Sequence, residues 1–203
     1  MNAEAQARAV GTGPRRFERV EVELFVHLRS AGRGAELDEL TALAEREFGA
    51  RLGMVGAFAE IEAGLQDGDA GAACALRTRP SEIIVWSTCS AGRSQSAKAT
   101  QTLARCQVAA RGSALLHVVD GSHGQAAFLF DGDVAGPLLQ RLADATSLPP
   151  KPGTARRLRL ADLHATLAWR SDGSHVAIVD ALYADFLAER LAYAAAFIAP
   201  TPR

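Results

Sequence analysis

No charge of one sign dominates this chain: Lys and Arg number 22, Asp and Glu 23, over 203 residues. Such a balance sets up no long-range field that favours nucleic acid or a membrane surface. No apolar run approaches the ~20 residues that span a bilayer as a helix. Cysteine is scarce too. Cys74, Cys89 and Cys106 sit at spacings that match no metal or redox motif, and an odd count without an export signal favours a reducing cytoplasm. Residues 1–15 lack the compact apolar core of a secretory signal and read as a disordered lead-in. Sharp catalytic motifs are missing as well: there is no Gly-x-Ser-x-Gly elbow, no Gly-x-Gly-x-x-Gly after a strand and no Walker loop.

What is there is an ordinary globular composition, 48% hydrophobic and 22% charged, at a length suited to one large domain or two small ones. Val20, Val22, Leu24, Val26 and Leu28 alternate with Glu21, Glu23, Phe25 and His27, which predicts a half-buried strand. Leu37, Leu40, Ala44 and Phe48 recur at helical spacing, with Gly49 as the stop. Glu82 to Ser87 is a dense strand after the Arg79–Pro80–Ser81 turn. A helix capped by Ser94 runs to about Ala109, with Ala97, Leu103, Ala104 and Val108 as its apolar surface.

From Ala114 onward the elements follow closely. A strand ends on Asp120, a Gly121–Ser122–His123–Gly124 turn follows, and Gln125 to Phe130 is the next strand. A helix carrying Leu138, Leu139 and Leu142 leads to a connector stiffened by Pro149, Pro150 and Pro152. Alternation from Ala155 to Trp169 predicts extended chain that bends near Asp162, and Asp172–Gly173 is a hairpin turn before His175 to Asp180. The last helix begins at Ala181 and shows Leu182, Phe186, Leu187, Leu191, Ala194 and Ile198 on one broad face. Helices recur between pairs of strands, so the fold class is α+β with antiparallel sheet, in two βαββ halves of ferredoxin type. The halves divide between Gly112 and Ser113, giving residues 16–112 and 113–203 within one compact unit that shares a core.

Candidate chemistry is sparse. Cys89 to Arg93 stands between a strand and a helix, as a thiol-phosphatase loop does, but only three residues separate Cys from Arg, fewer than that loop needs. Asp120, Ser122 and His123 supply the residue types of a hydrolytic triad, yet neighbours in one turn point in different directions. His117, His123, His164 and His175 show no helical i, i+4 pairing and no Cys or Glu at ligand spacing. His123, in the glycine-rich turn, is the best placed of them for a function. The Arg156–Arg157–Leu158–Arg159 cluster reads as a solvated strand end or subunit contact rather than a phosphate reader. No residue is assigned to catalysis and none to a metal, and cofactor contacts stay unassigned.

Several segments together resemble the gamma-subunit family of heterotetrameric sarcosine oxidases, within the glycine-cleavage aminomethyltransferase superfamily. They are Val118–Val119–Asp120–Gly121–Ser122–His123, Ala126 to Phe130, Gly132–Asp133 before Leu138–Leu139, Thr154 to Arg157, Leu163 to Trp169, and Tyr183 to Leu191. Upstream, Pro80–Ser81–Glu82–Ile83–Ile84 stands where the family opens a strand with Pro-Asp-Glu-Trp-Leu, and Phe48 to Leu52 matches a Gly-x-x-Leu-Pro segment without its proline. Gly121 replaces the family's usual apolar residue before Ser122. The resemblance implies a folate-binding-type fold. It also implies partners: a large alpha chain, a flavin-bearing beta chain and a small zinc-binding delta chain. Such a complex oxidises the N-methyl group of sarcosine or a related amine with FAD, FMN and NAD, and passes the one-carbon unit to tetrahydrofolate. By the same resemblance this chain carries neither the flavin attachment nor the substrate residues, and the acidic residues that hold folate have no counterpart in it. A stand-alone folate-binding or aminomethyltransferase-like protein is the alternative.

Overall fold

The structure, a computed structural model, describes residues 17–61, 73–89, 97–130 and 132–198, without the side chains of 35, 36, 98 and 132–134. Its strands are β1 (Phe17–Ser30), β2 (Phe58–Glu60), β3 (Ala73–Arg79), β4 (Glu82–Cys89), β5 (Leu116–Asp120), β6 (Gln125–Phe130), β7 (Thr154–Leu160), β8 (Leu163–Trp169) and β9 (His175–Asp180). The helices are α1 (Ala35–Phe48), α2 (Ala97–Arg111), α3 (Gly132–Leu142) and α4 (Ala184–Ala196). Every strand pairing is antiparallel, in the order β2-β3-β4-β1-β6-β9-β8-β7, with β5 also beside β1. The α+β class with antiparallel sheet is therefore the observed one. No helix among the described residues is long and apolar enough to cross a membrane.

β1 is long enough to serve two sheets. Its first residues, Phe17 to Val20, pair with β6, and Val26 to Ser30 pair with β5, while β4 runs along the opposite edge from Glu21 to Arg29. β5 lies after the expected Gly112–Ser113 division, yet its partner is β1. The first sheet thus crosses as β5-β1-β4-β3, the βαββαβ order of a ferredoxin-type half. In the second, β6 lies next to β9, the last strand of the β7-β8-β9 meander.

The sheets pack face to face, with helices outside both. One core lies between α1, α2 and the first sheet, around Leu24, Val26, Leu40, Leu43, Ile83 and Val85. A second lies between α3, α4 and the other sheet, around Phe128, Phe130, Leu138, Leu167, Leu187 and Leu191. The third joins the sheets: Phe25, Ile84 and Trp86 from one meet Ala127, Ala155, Ala168 and Ile178 from the other. Small residues on one face accept the large rings of the other, the interdigitation that close packing requires. β4 is buried on both faces, Ile83 and Val85 toward the helices and Ile84 and Trp86 toward the second sheet. That explains its unbroken apolar run.

Strict alternation in β1 holds only in two pieces. The register with β4 shifts between Val22 and Leu24, leaving Glu23 as a bulge. Val20 faces the inter-sheet core before the bulge; Leu24, Val26 and Leu28 face the helices after it, and Phe25 takes over the inter-sheet side. An extra residue in a strand reverses which face each following side chain meets. Gly49 ends α1 in the left-handed region (φ 67°), where its N–H reaches the Glu45 carbonyl at 2.8 Å.

Two helix faces differ from expectation. In α2 the buried stripe is Ala99, Thr102, Cys106 and Ala110, with Leu103 half-buried and Ala104 and Val108 exposed. Small side chains there let α2 lie close to β5, and they carry too little hydrophobicity to mark a face in sequence. The expected Ser94 cap lies outside the described residues. In the last helix a 3-10 turn, Ala181–Tyr183, precedes α4, with the Asp180 side chain accepting the Leu182 N–H at 2.9 Å. Ala184, Leu187, Leu191 and Ala194 are buried, whereas Leu182 is 81% exposed and Phe186 45%. The change from 3-10 to α winding rotates Leu182 off the apolar stripe.

Candidate functional site

β1 carries His27 and Arg29 on alternating residues of one strand, and Glu82 opens the neighbouring β4 directly opposite Arg29. The Glu82 carboxylate is almost fully buried and almost fully engaged. Arg29 Nε donates to its Oε1 at 2.9 Å, His27 Nδ1 lies 3.3 Å from the same oxygen, and Thr78 Oγ1 donates to Oε2 at 2.6 Å. Arg157, from β7 of the other sheet, stands 3.8 Å from Oε2. Burial alone pushes the Glu82 carboxyl upward, but the Thr78 and Arg29 hydrogen bonds and the arginine charges overcome it and hold the group at about 2. Burial lowers the His27 pKa, against the opposing pull of Glu82. His27 is therefore neutral at pH 7, its ring edge-on to Phe25 at 5.1 Å.

Beside this group a cleft of about 340 Å³ opens between the sheets, with His27, Arg157, His164, Gln125 and Asp180 at its polar walls and Ile178 among its apolar ones. That is at the small end of ligand clefts, which run ~300–1,000 Å³. Arg157 is the guanidinium among the described lining residues, and Glu82 already shares its charge. Glu82, acidic and saturated, makes a poor general base at neutral pH.

The Asp120–Ser122 turn is tied to Phe25, which lines this cleft. Ser122 Oγ donates to Asp120 Oδ1 at 2.6 Å and accepts the Phe25 N–H at 2.9 Å, and its own N–H returns to Asp120 Oδ1. Gly121 N–H adds a bond to the Phe25 carbonyl at 2.8 Å. The hydroxyl is thus committed on both sides, and the turn fastens β5 to β1 at a residue that lines the cleft. Gly121 has a reason as well: a Cβ there would stand 3.2 Å from the Phe25 ring.

The four histidines named from sequence are not brought together. His117 and His123 are exposed on β5 and its following turn, and His164 is an exposed wall of the cleft. His175 is buried and stacks on Trp169 at 4.9 Å. Among the described residues no group of three or more His, Cys, Asp or Glu is placed to hold a metal. Cys89 ends β4, half-buried, and Arg93 lies outside the described residues. The arginine cluster of β7 splits up: Arg156 donates to the Thr146 carbonyl, Arg159 to the Asp162 carbonyl, and Arg157 alone turns to the cleft. Sequence reading passed over His27, Arg29 and Glu82 as a group. The one available signal was an ionisable residue at an inward position of each of two dense strands.

No family model and no curated protein matches the sequence. Solved structures do match the fold. One chain of the heterotetrameric sarcosine oxidase from Corynebacterium sp. U-96, solved with pyrrole 2-carboxylate, superposes with a TM-score of 0.69 at 19% identity, covering 98% of this chain and 94% of that one. The glycine cleavage system aminomethyltransferase T from Bartonella henselae gives a TM-score of 0.58 at 11% identity, over 85% of this chain and 44% of that one. This chain therefore has an aminomethyltransferase-like fold and spans less than half the length of that transferase.

Proposed function

We propose that this chain is an accessory, non-catalytic gamma-type subunit of a sarcosine-oxidase-like flavoprotein complex. The complex oxidatively demethylates sarcosine or a related N-methyl amine and passes the one-carbon unit to tetrahydrofolate. The observation that carries the reading is the end-to-end correspondence with a chain of a heterotetramer, 98% of this chain against 94% of that one. The cleft's chemistry supports it: Glu82 is neutralised by its own neighbours, and Ser122 is locked into a turn. FAD, FMN and NAD belong to the partner chains of alpha, beta and delta type in this reading, and the assembly works in the cytoplasm.

Expressed alone, the chain is expected to be colourless and inactive; with its partners it enters a yellow complex. The alternative, a stand-alone folate-binding or aminomethyltransferase-like protein, draws on the match to the transferase over 85% of this chain. Calorimetry with tetrahydrofolate on the isolated chain separates the two. Tight binding favours the stand-alone protein, and its absence the subunit.

A further inference from the structure

We propose that the outer face of α4 is a self-association surface, on which a second copy of this chain docks antiparallel about a two-fold axis between Glu189 and Arg190. The inner face, Ala184, Leu187, Leu191 and Ala194, is committed to the second core. The outer face is hydrophobic as well: Leu182, Phe186, Tyr193 and Phe197 are 81%, 45%, 65% and 56% exposed. Their separations of four, seven and four residues keep them on one side of the helix. Tyr193 meets Phe197 edge-on at 4.9 Å, and the Arg190 guanidinium lies 5.9 Å over the Phe186 ring. The stripe runs along roughly 24 Å of helix. Scattered exposed hydrophobic side chains are ordinary on a protein, whereas a contiguous row of them marks an interaction surface.

The order of side chains along the stripe points to its occupant. From either end it runs through two large hydrophobic residues, a central pair of opposite charges, and two large hydrophobic residues again. A two-fold axis at the centre sets Leu182 against Phe197, Phe186 against Tyr193 and Glu189 against Arg190 of the second copy, and each contact occurs twice. A parallel pairing in the same register sets like charges together and is disfavoured. The flanking acid stays out of the contact, because Asp185 is paired with Arg19 of its own chain at 2.8 Å. Arg141 donates to the Phe197 carbonyl at 3.2 Å, which ties down the far end of the stripe. One helix pair of this length buries less than the ~1,200 Å² of a stable interface, so the dimer is weak and concentration-dependent. The proposal goes beyond the subunit reading and does not rest on it.

Sedimentation velocity of the full chain in low salt, from about 1 μM to several hundred μM, reads the association out. The mass is expected to rise from 21.4 kDa toward twice that value. Glu189→Arg and Arg190→Glu each turn two attractive contacts into repulsive ones, and each is expected to raise the dissociation constant about tenfold. Mixing the two variants in equal amounts restores association, because each then offers the charge that the other lacks. Phe186→Ser combined with Tyr193→Ser abolishes it, whereas Val108→Ser, at an exposed position of α2, leaves it unchanged. A mass that stays at 21.4 kDa throughout, or a dimer that neither charge reversal weakens, overturns the assignment. So does a pair of charge-reversed variants that fails to associate on mixing. A chain that stays monomeric alone, and loses its hold on flavin-bearing chains in the Phe186→Ser and Tyr193→Ser variant, also overturns it and gives the face to those chains.

Discussion

Glu82→Gln keeps the shape of the group beside the cleft and removes its charge. The carboxyl sits at about 2 against an ordinary 4.5, which by linkage is worth ~3 kcal/mol of folding stability above pH 5. Arg29 and Arg157 are half-exposed, so screening trims the expected loss at pH 7 to ~2 kcal/mol. A folded pKa below the unfolded one gives stability that is complete above the unfolded value and fades as pH falls toward the folded one. The gap between wild type and Glu82→Gln is therefore widest at pH 7 and narrows by more than half near pH 3. Urea unfolding at both pH values, followed by tryptophan fluorescence in low salt, measures it, since Trp86 is fully buried in the inter-sheet core. An equal gap at pH 3 and pH 7, or none at pH 7, would refute the charge network as a stabilising element.

Ser122→Ala leaves the buried Phe25 N–H without its acceptor, and is expected to cost ~2–3 kcal/mol in the same unfolding assay. A serine serving catalysis alone would show no such loss. His175→Leu should flatten the acid side of the stability profile between pH 6.5 and about 4: the unfolded histidine takes up a proton first, so wild type weakens as pH falls through that window. A profile that keeps its slope in the variant would rule out His175 as the source. Asp162→Gly should raise thermal stability by ~0.5–1 kcal/mol, because Asp162 holds φ 68° in the β7–β8 turn without glycine's freedom there. A lower melting temperature would show that Asp162 contributes more through its own contacts than its backbone costs.

Much of the architecture was legible because local pattern and tertiary role agree along most of the chain. Alternation exposed β1, α1 could be read from Leu40, Ala44, Phe48 and Gly49, and the bend at Asp162 marked the β7–β8 hairpin. Two kinds of feature were not legible. A bulge such as the one at Glu23 keeps the strand and reverses its faces, and no residue type signals it. The faces of α2 and α4 were misplaced because alanine and cysteine do the packing in one, while Leu182 and Phe186 stay outside in the other. As for the site, Asp120 and Ser122 drew notice through their adjacency and turned out to fasten a turn. His27, Glu82 and Arg157 lie on three strands from both sheets, so only the face-to-face packing brings them together.

The most direct test of the subunit reading is mass spectrometry under gentle conditions on the chain purified from its native cells. An accessory subunit gives a hetero-complex that contains the 21.4 kDa chain together with larger chains and bound flavin. A free 21.4 kDa chain, remaining alone when the flavin-bearing chains are present, would contradict it.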